Sequence, residues 1–70
     1  MKFMLVMALC SQLHDSCMTP VADDKRYIDF KSCLIEGYEQ SAIVLKALPT
    51  ETVNSKQLYV KFQCKPQIDI

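Results

Sequence analysis

An unbroken apolar run opens the chain and predicts a strand that is buried on both faces. Residues 3–10 carry no charged or polar side chain apart from a thiol, and a strand of this kind has no solvent-facing side. Alternation divides the run into two apolar sets, with Phe3, Leu5, Met7 and Leu9 on one face and Met4, Val6, Ala8 and Cys10 on the other. A single lysine before an apolar run is also typical of a signal peptide. Because this run is short for a signal and far too short to span a bilayer, we interpret residues 2–10 as a strand of the mature protein.

Helical spacing and then strict alternation follow in the second half of the chain. Apolar residues recur at helical intervals from residue 30 to residue 48, and Asp29 precedes them as the expected N-cap. Gly37 within this segment costs ~1 kcal/mol relative to alanine, so it predicts the close approach of a strand or of a partner's backbone. Pro49 ends the helix, and one further helical turn is expected over residues 50–56. Apolar and polar residues alternate from residue 57 to residue 64, which predicts a half-buried strand.

The order of these elements predicts the fold class α/β (α+β), as a minimal β-α-β module that forms a single domain over residues 1–70. The expected bounds are a strand at about 2–10, a loop at 11–28, a helix at about 29–48 and a strand at about 57–65. A right-handed crossover would make the two strands parallel. One helix covers only one face of such a sheet, and two strands alone are marginally stable. We therefore expect a homodimer, formed through sheet faces or through the edge of the first strand; the alternatives are a covering by the 11–28 loop or an additional strand at 21–28.

Four cysteines would gather at one pole of this module, where the first strand ends, the helix begins and the last strand ends. Two disulfides are the favoured interpretation, with Cys10 paired to Cys64 and Cys17 paired to Cys33. Other pairings, such as Cys10 with Cys17, stay open because sequence alone does not choose among them. The chain-entropy model assigns ~3–4 kcal/mol to each closure, which rivals the whole stability of so small a core.

Two other uses of the cysteines are also open. Cys10, His14, Cys17 and Cys33 supply the nitrogen and sulfur ligands of a tetrahedral zinc site, although the chain has no pair of cysteines spaced as zinc motifs require. Free thiols would suit a cytosolic location. In that case Cys33, near the positive end of a helix, would be the activated thiol and Cys17 its resolving partner.

Composition and charge argue against several classes of function. Eight basic and eight acidic residues cancel within 70 residues, so the chain lacks the basic excess of a nucleic-acid binder. His14 is the sole histidine, and no serine–histidine–acid pattern, glycine-rich phosphate loop or pair of carboxylates accompanies it. We therefore expect no enzymatic activity, no cofactor, and neither nucleic acid nor membrane as a partner.

Four segments carry a resemblance to other small proteins: MKFMLVMALC at the start, CMTP in the connection, CLIEGY in the helix and LYVKFQC in the last strand. Together they resemble small uncharacterised four-cysteine reading frames of marine bacteriophages and marine bacteria, a group with no assigned activity. The resemblance covers most of the chain and rests on spacing. It implies a phage accessory or virion-associated protein, and it favours the virion or the host cytoplasm over secretion through a cleaved signal.

These observations predict a small non-enzymatic protein-interaction module that binds an unidentified host or virion protein. The alternatives are a structural or decoration component of a virus particle, and a thiol-redox or zinc-binding small protein. The contact surface is expected on the first strand or on the outer face of the last one. The candidate contact residues are Phe3, Leu5, Met7, Leu9, Tyr59 and Lys61.

Overall fold

A four-stranded antiparallel sheet with two helices makes up the fold. The computed structural model describes residues 2–68, and its elements follow in chain order as β1 (Lys2–Ser11), β2 (Ser16–Cys17), β3 (Val21–Tyr27), α1 (Phe30–Ala47), α2 (Thr50–Lys56) and β4 (Leu58–Gln67). β1 is the central strand, because β4 pairs along its whole length and β2 and β3 pair with its other edge in turn. All of these pairings are antiparallel, so the predicted β-α-β module with two parallel strands is wrong.

The additional strand that the sequence leaves as an alternative at 21–28 is present as β3, and it explains the topology. β3 runs back along β1 and brings Tyr27 opposite Phe3, so the chain returns to the start of β1 before α1 begins. α1 then takes the chain towards the end of β1. β4 begins at Leu58, which pairs with Ser11, and runs antiparallel to β1 from there. The expected loop at 11–28 therefore contains two strands, β2 and β3. Because β3 returns the chain to the start of β1, α1 leads back to the end of β1, and β4 then runs antiparallel to β1.

Local signals in the sequence account for the ends of both helices. Asp29 Oδ1 accepts a hydrogen bond from Ser32 N at 2.7 Å, which confirms the predicted N-cap of α1. Pro49 separates α1 from α2, since a proline interrupts the hydrogen bonding of a helix. Gln57 follows α2 with a left-handed backbone (φ 52°) and turns the chain into β4. Its carbonyl accepts a hydrogen bond from Gln12 N at 2.9 Å, which ties the end of α2 to the end of β1.

The hydrophobic core lies between α1 and one face of the sheet. Leu5 and Cys33 have no exposed surface, and Tyr27 and Cys64 are also buried. The half-buried side chains that pack around these four residues are Phe3, Met7, Leu34 and Phe62. A core this small supplies little stability by itself, so covalent links between the elements contribute a large share of the total.

Gly37 marks the closest approach of α1 to β4. A Cβ atom at this position would overlap the ring of Phe62, lying 2.7 Å from Cζ. The same ring meets Tyr38 edge to face, with the two centroids 4.9 Å apart, so it has little room to move away. The close approach of a strand predicted from this glycine is confirmed.

The two faces of β1 have different surroundings. Phe3, Leu5 and Met7 belong to the core, and Leu9 shares their face by alternation. Leu5 is completely buried, so the expectation that it contacts a partner is wrong. Both edges of β1 are paired within the chain, and the homodimer stays a prediction.

Candidate functional site

Two disulfides brace the fold at separate places, one within the sheet and one between α1 and the sheet. Cys10 is bonded to Cys17, its neighbour across the β1–β2 pair, with the Cα atoms 3.9 Å apart. Cys33 is bonded to Cys64 and fastens α1 to β4, with the Cα atoms 6.1 Å apart. The prediction of two disulfides is confirmed. The favoured pairing of Cys10 with Cys64 and of Cys17 with Cys33 is wrong, and the pairing left open, Cys10 with Cys17, is the one formed.

The four cysteines do not gather at one pole. Cys64 lies opposite Leu5, whereas Cys10 lies five positions further along β1, which corresponds to ~17 Å at the rise of a strand. The difference follows from the direction of β4. Because β4 is antiparallel to β1, its later residues lie beside the beginning of β1 and not beside its end.

The residues of the alternative zinc site are not brought together. Cys10 and Cys17 are bonded to each other and Cys33 is bonded to Cys64, so none of these sulfurs is a free thiolate that could bind zinc. His14 lies in the turn before β2, where its backbone N–H donates to Ser11 Oγ at 3.2 Å. Between residues 2 and 68, no group of three or more histidine, cysteine or acidic side chains is placed to hold a metal ion. No helix of that range is long and apolar enough to cross a membrane.

The sheet face opposite α1, which we call the open face, carries an apolar stripe. Strand alternation places Met4, Val6 and Ala8 of β1 on this face, and all three are half-buried. The helices pack on the other side, as shown by the core cluster around α1 and by the hydrogen bond of Ser11 Oγ to Lys56 O at the end of α2. The stripe therefore lies at the surface of the chain.

A shallow groove runs along this stripe. Its volume is about 450 Å³, which falls within the range of ordinary ligand sites. Side chains of β1 form its floor, β4 forms one wall, and the connection through β2 forms the other. The residues that line it include Val6, Ala8, Cys17, Pro20, Lys61 and Gln63. The 11–28 segment thus borders the open face without covering it.

Basic side chains flank the stripe on both sides. On β4, Lys61 lies opposite Ala8 and Lys65 lies opposite Met4. On the other side of β1, Arg26 of β3 also lies opposite Met4. All three basic residues are exposed, so the apolar surface is rimmed by positive charge.

The candidate contact residues divide between the two faces of the sheet. Tyr59 lies opposite Cys10 on the open face and is 41% exposed, and Lys61 is on the same face. The first-strand candidates Phe3, Leu5, Met7 and Leu9 lie on the helix side instead. Of these four, Leu5 is buried, whereas Phe3, Met7 and Leu9 are half-buried and their role as contact residues stays a prediction. The available signal for the face that packs on the helices was side-chain size, since the bulkier set is the one that fills the core.

Two groups with a shifted pKa lie away from the open face. Burial raises the pKa of Tyr27, and the nearby charges of Asp23 and Glu36 raise it further, as does the hydrogen bond that Tyr27 OH donates to Asp23 Oδ2 at 3.3 Å. The hydrogen bonds from Ser32 lower the pKa of the Asp29 carboxyl. Both groups lie on the helix side of the molecule.

Comparison with protein-family models, with curated proteins and with solved structures gives no match to this chain. The open face is therefore interpreted from its own geometry and charge, and the resemblance to phage and marine bacterial reading frames stays a prediction.

Proposed function

We propose that this chain is a small protein-interaction module that binds another protein through the open face. The observation that supports this function is the apolar stripe of Met4, Val6 and Ala8, which lies at the surface between basic side chains while the other face of the same strand fills the core. Apolar surface rimmed by polar residues is characteristic of sites where proteins associate.

The scaffold behind the open face supports this role because it is covalently braced. The bond between Cys33 and Cys64 holds α1 against the sheet, directly behind the stripe. The bond between Cys10 and Cys17 holds the β2 wall of the groove against β1. A surface held in its binding geometry loses less conformational entropy when a partner binds, so affinity is gained from a small contact area.

The resemblance to phage reading frames makes a host or virion protein the proposed partner. The alternative is a structural or decoration component of a virus particle. In that role many copies of the chain would use the same surface to bind a regular lattice. Electron microscopy of particles that contain the chain would distinguish a regular array from a single bound molecule.

Site-specific photo-crosslinking tests the proposed surface. A photoreactive amino acid replaces Gln63, which is exposed on the open face, or Glu39, which is exposed on α1. In extracts of the organism that encodes the chain, we expect the probe at position 63 to crosslink one discrete protein and the probe at position 39 to leave it unlabelled. An excess of unlabelled protein should compete this crosslink away.

A matched pair of substitutions completes the test. Val6→Lys places a charge in the middle of the stripe, and Ile43→Lys places the same charge on an exposed apolar position of α1. We expect Val6→Lys to abolish competition and Ile43→Lys to preserve it, with circular dichroism confirming that both variants are folded. Equal crosslinking from positions 63 and 39, or full competition by Val6→Lys, would refute binding through the open face.

A further inference from the structure

We infer that the segment of the partner bound by the open face is acidic and carries aliphatic side chains. This inference rests on the proposed function and adds the chemistry of the partner to it. It is drawn from the way the folded chain distributes its charges between the two sides of the sheet.

The open face holds a concentration of positive charge that the neutral composition conceals. Strand alternation places four basic side chains on this face, and by the same alternation Asp24 is the carboxylate that accompanies them. The net charge of the face within residues 2–68 is therefore +3, although the whole chain has a formal charge of zero. The four basic residues are Lys2, Arg26, Lys61 and Lys65.

Of the other acidic residues of the described chain, Asp15 lies in the turn between β1 and β2 and the remaining five lie on the helix side. Asp23 accepts the hydrogen bond of the buried Tyr27 on the helix side, and Asp29 caps α1. The glutamates at positions 36, 39 and 51 belong to the two helices. Four basic residues, Lys25, Lys31, Lys46 and Lys56, accompany these five acidic ones on the helix side, so its net charge is −1 against +3 for the open face. The open face is therefore the more positive side and attracts a negatively charged partner.

The floor of the groove indicates which kind of anionic partner fits. Sheet surfaces that bind single-stranded nucleic acid stack successive bases on aromatic rings. The surface between the basic side chains of the open face carries the aliphatic residues Met4, Val6 and Ala8, and the exposed ring of this face, Tyr59, lies beyond them, opposite Cys10. Helices that bind lipid surfaces insert protruding apolar side chains, whereas the three aliphatic residues are half-buried below exposed lysines. An acidic polypeptide with aliphatic side chains would pack those side chains on the apolar stripe and place its carboxylates beside the basic side chains.

Selection from a display library of random peptides tests this inference with three versions of the immobilised protein. One is the natural chain and one is Lys61→Glu/Lys65→Glu. The third, Lys31→Glu/Lys46→Glu, makes the same change of net charge on exposed positions of α1. We expect the natural chain to enrich peptides that combine aspartate or glutamate with valine, leucine or isoleucine.

The affinity of one enriched synthetic peptide is then measured for each protein by fluorescence anisotropy. We expect reversal of the two open-face charges to weaken binding by about tenfold or more, and added salt to weaken binding to the natural chain. The α1 double variant should bind within about twofold of the natural chain, since its exposed charges lie on the helix side of the sheet and salt screens charges that do not contact the peptide.

The possible results separate this inference from the proposed function. Loss of peptide binding in Val6→Lys but not in Lys61→Glu/Lys65→Glu would retain the open face as the site and overturn the acidic partner. Peptide binding that survives in Val6→Lys would overturn the site itself. Tighter binding of an oligothymidine or of phosphatidylserine vesicles than of any enriched peptide, abolished by Lys61→Glu/Lys65→Glu, would also overturn the inference in favour of nucleic acid or membrane.

Discussion

At the scale of single residues, two positions show how small details of packing control this fold. Gly37 provides the space into which the Phe62 ring fits, so α1 and β4 approach closely. Tyr27 closes the core at the β3 edge and donates its hydroxyl hydrogen bond to Asp23. The glycine could be interpreted from the sequence because it is unfavourable inside a helix. Nothing local to Tyr27 predicts its burial, since its environment is built by β1 and α1.

Gly37→Ala should destabilise the protein even though alanine is the better helix former. The added methyl group collides with the Phe62 ring, and overpacking of this kind costs about 1–3 kcal/mol, against a gain of ~1 kcal/mol in helix propensity. Urea unfolding with the disulfides intact measures the difference. The same change should cost less in a Phe62→Leu background, and equal costs in the two backgrounds would refute the contact.

Stability should fall at alkaline pH because of Tyr27. Its pKa is raised above the ordinary value of 10.0, so the folded state holds this proton more tightly than the unfolded state. The free energy of unfolding should therefore carry the full contribution of the neutral phenol below about pH 10 and lose it as the pH rises further. Chemical unfolding across this range measures the decline, which Tyr27→Phe should reduce. Tyr59→Phe is the matched control, and an identical decline in both variants would contradict the assignment.

At the scale of elements, β3 decides the topology and is also the element hardest to recognise. Its residues 21–27 include four charged side chains in succession, a pattern that predicts a solvated loop. An edge strand tolerates these charges because both its outer edge and one of its faces meet water. Its pairing with β1 is interrupted by a bulge opposite the segment from Met4 to Val6, which further weakens any periodic signal.

The two disulfides join different elements and should contribute unequally to stability. The chain-entropy model gives about 4 kcal/mol for the bond between Cys33 and Cys64, which are 31 positions apart, and about 2–3 kcal/mol for that between Cys10 and Cys17, which are 7 apart. Because a core of this size supplies only ~3–5 kcal/mol, we expect Cys33→Ala/Cys64→Ala to unfold and Cys10→Ala/Cys17→Ala to remain folded.

Circular dichroism and denaturant unfolding measure both double variants. Mass spectrometry of proteolytic fragments from the unreduced protein checks the pairing independently. The reverse order of stability, or fragments that join Cys10 to Cys64, would contradict the arrangement of α1 and β4 described above.

At the scale of the whole molecule, the sheet separates two environments that the sequence mixes. Five acidic and four basic residues nearly balance on the helix side, whereas the open face carries four basic residues and one carboxylate around its apolar stripe. The homodimer stays a prediction that a single chain does not test. Two open faces placed against each other would oppose their basic rims, and such like-charge contacts are unfavourable. We therefore expect an unlike, acidic partner to be the better match for this surface.

The amino-acid sequence by itself determined the elements that depend on local preference and periodicity. These include the apolar strand at the start, the helix capped by Asp29, the alternating last strand and the need to cover a strand that is apolar on both faces. Such features are encoded within a few neighbouring residues, so their physical causes can be recognised without knowledge of the fold.

Only the tertiary structure decided the direction of the strands, the disulfide partners and the face of β1 that reaches the surface. All three depend on β3, whose charged residues form a strand because β1 supplies the hydrogen-bonding partner. Once β3 returns the chain to the start of β1, β4 must run antiparallel, Cys64 meets Cys33, and Met4, Val6 and Ala8 are left on the open face. Long-range pairing therefore determined the candidate site, because local sequence does not contain the identity of a strand's neighbour.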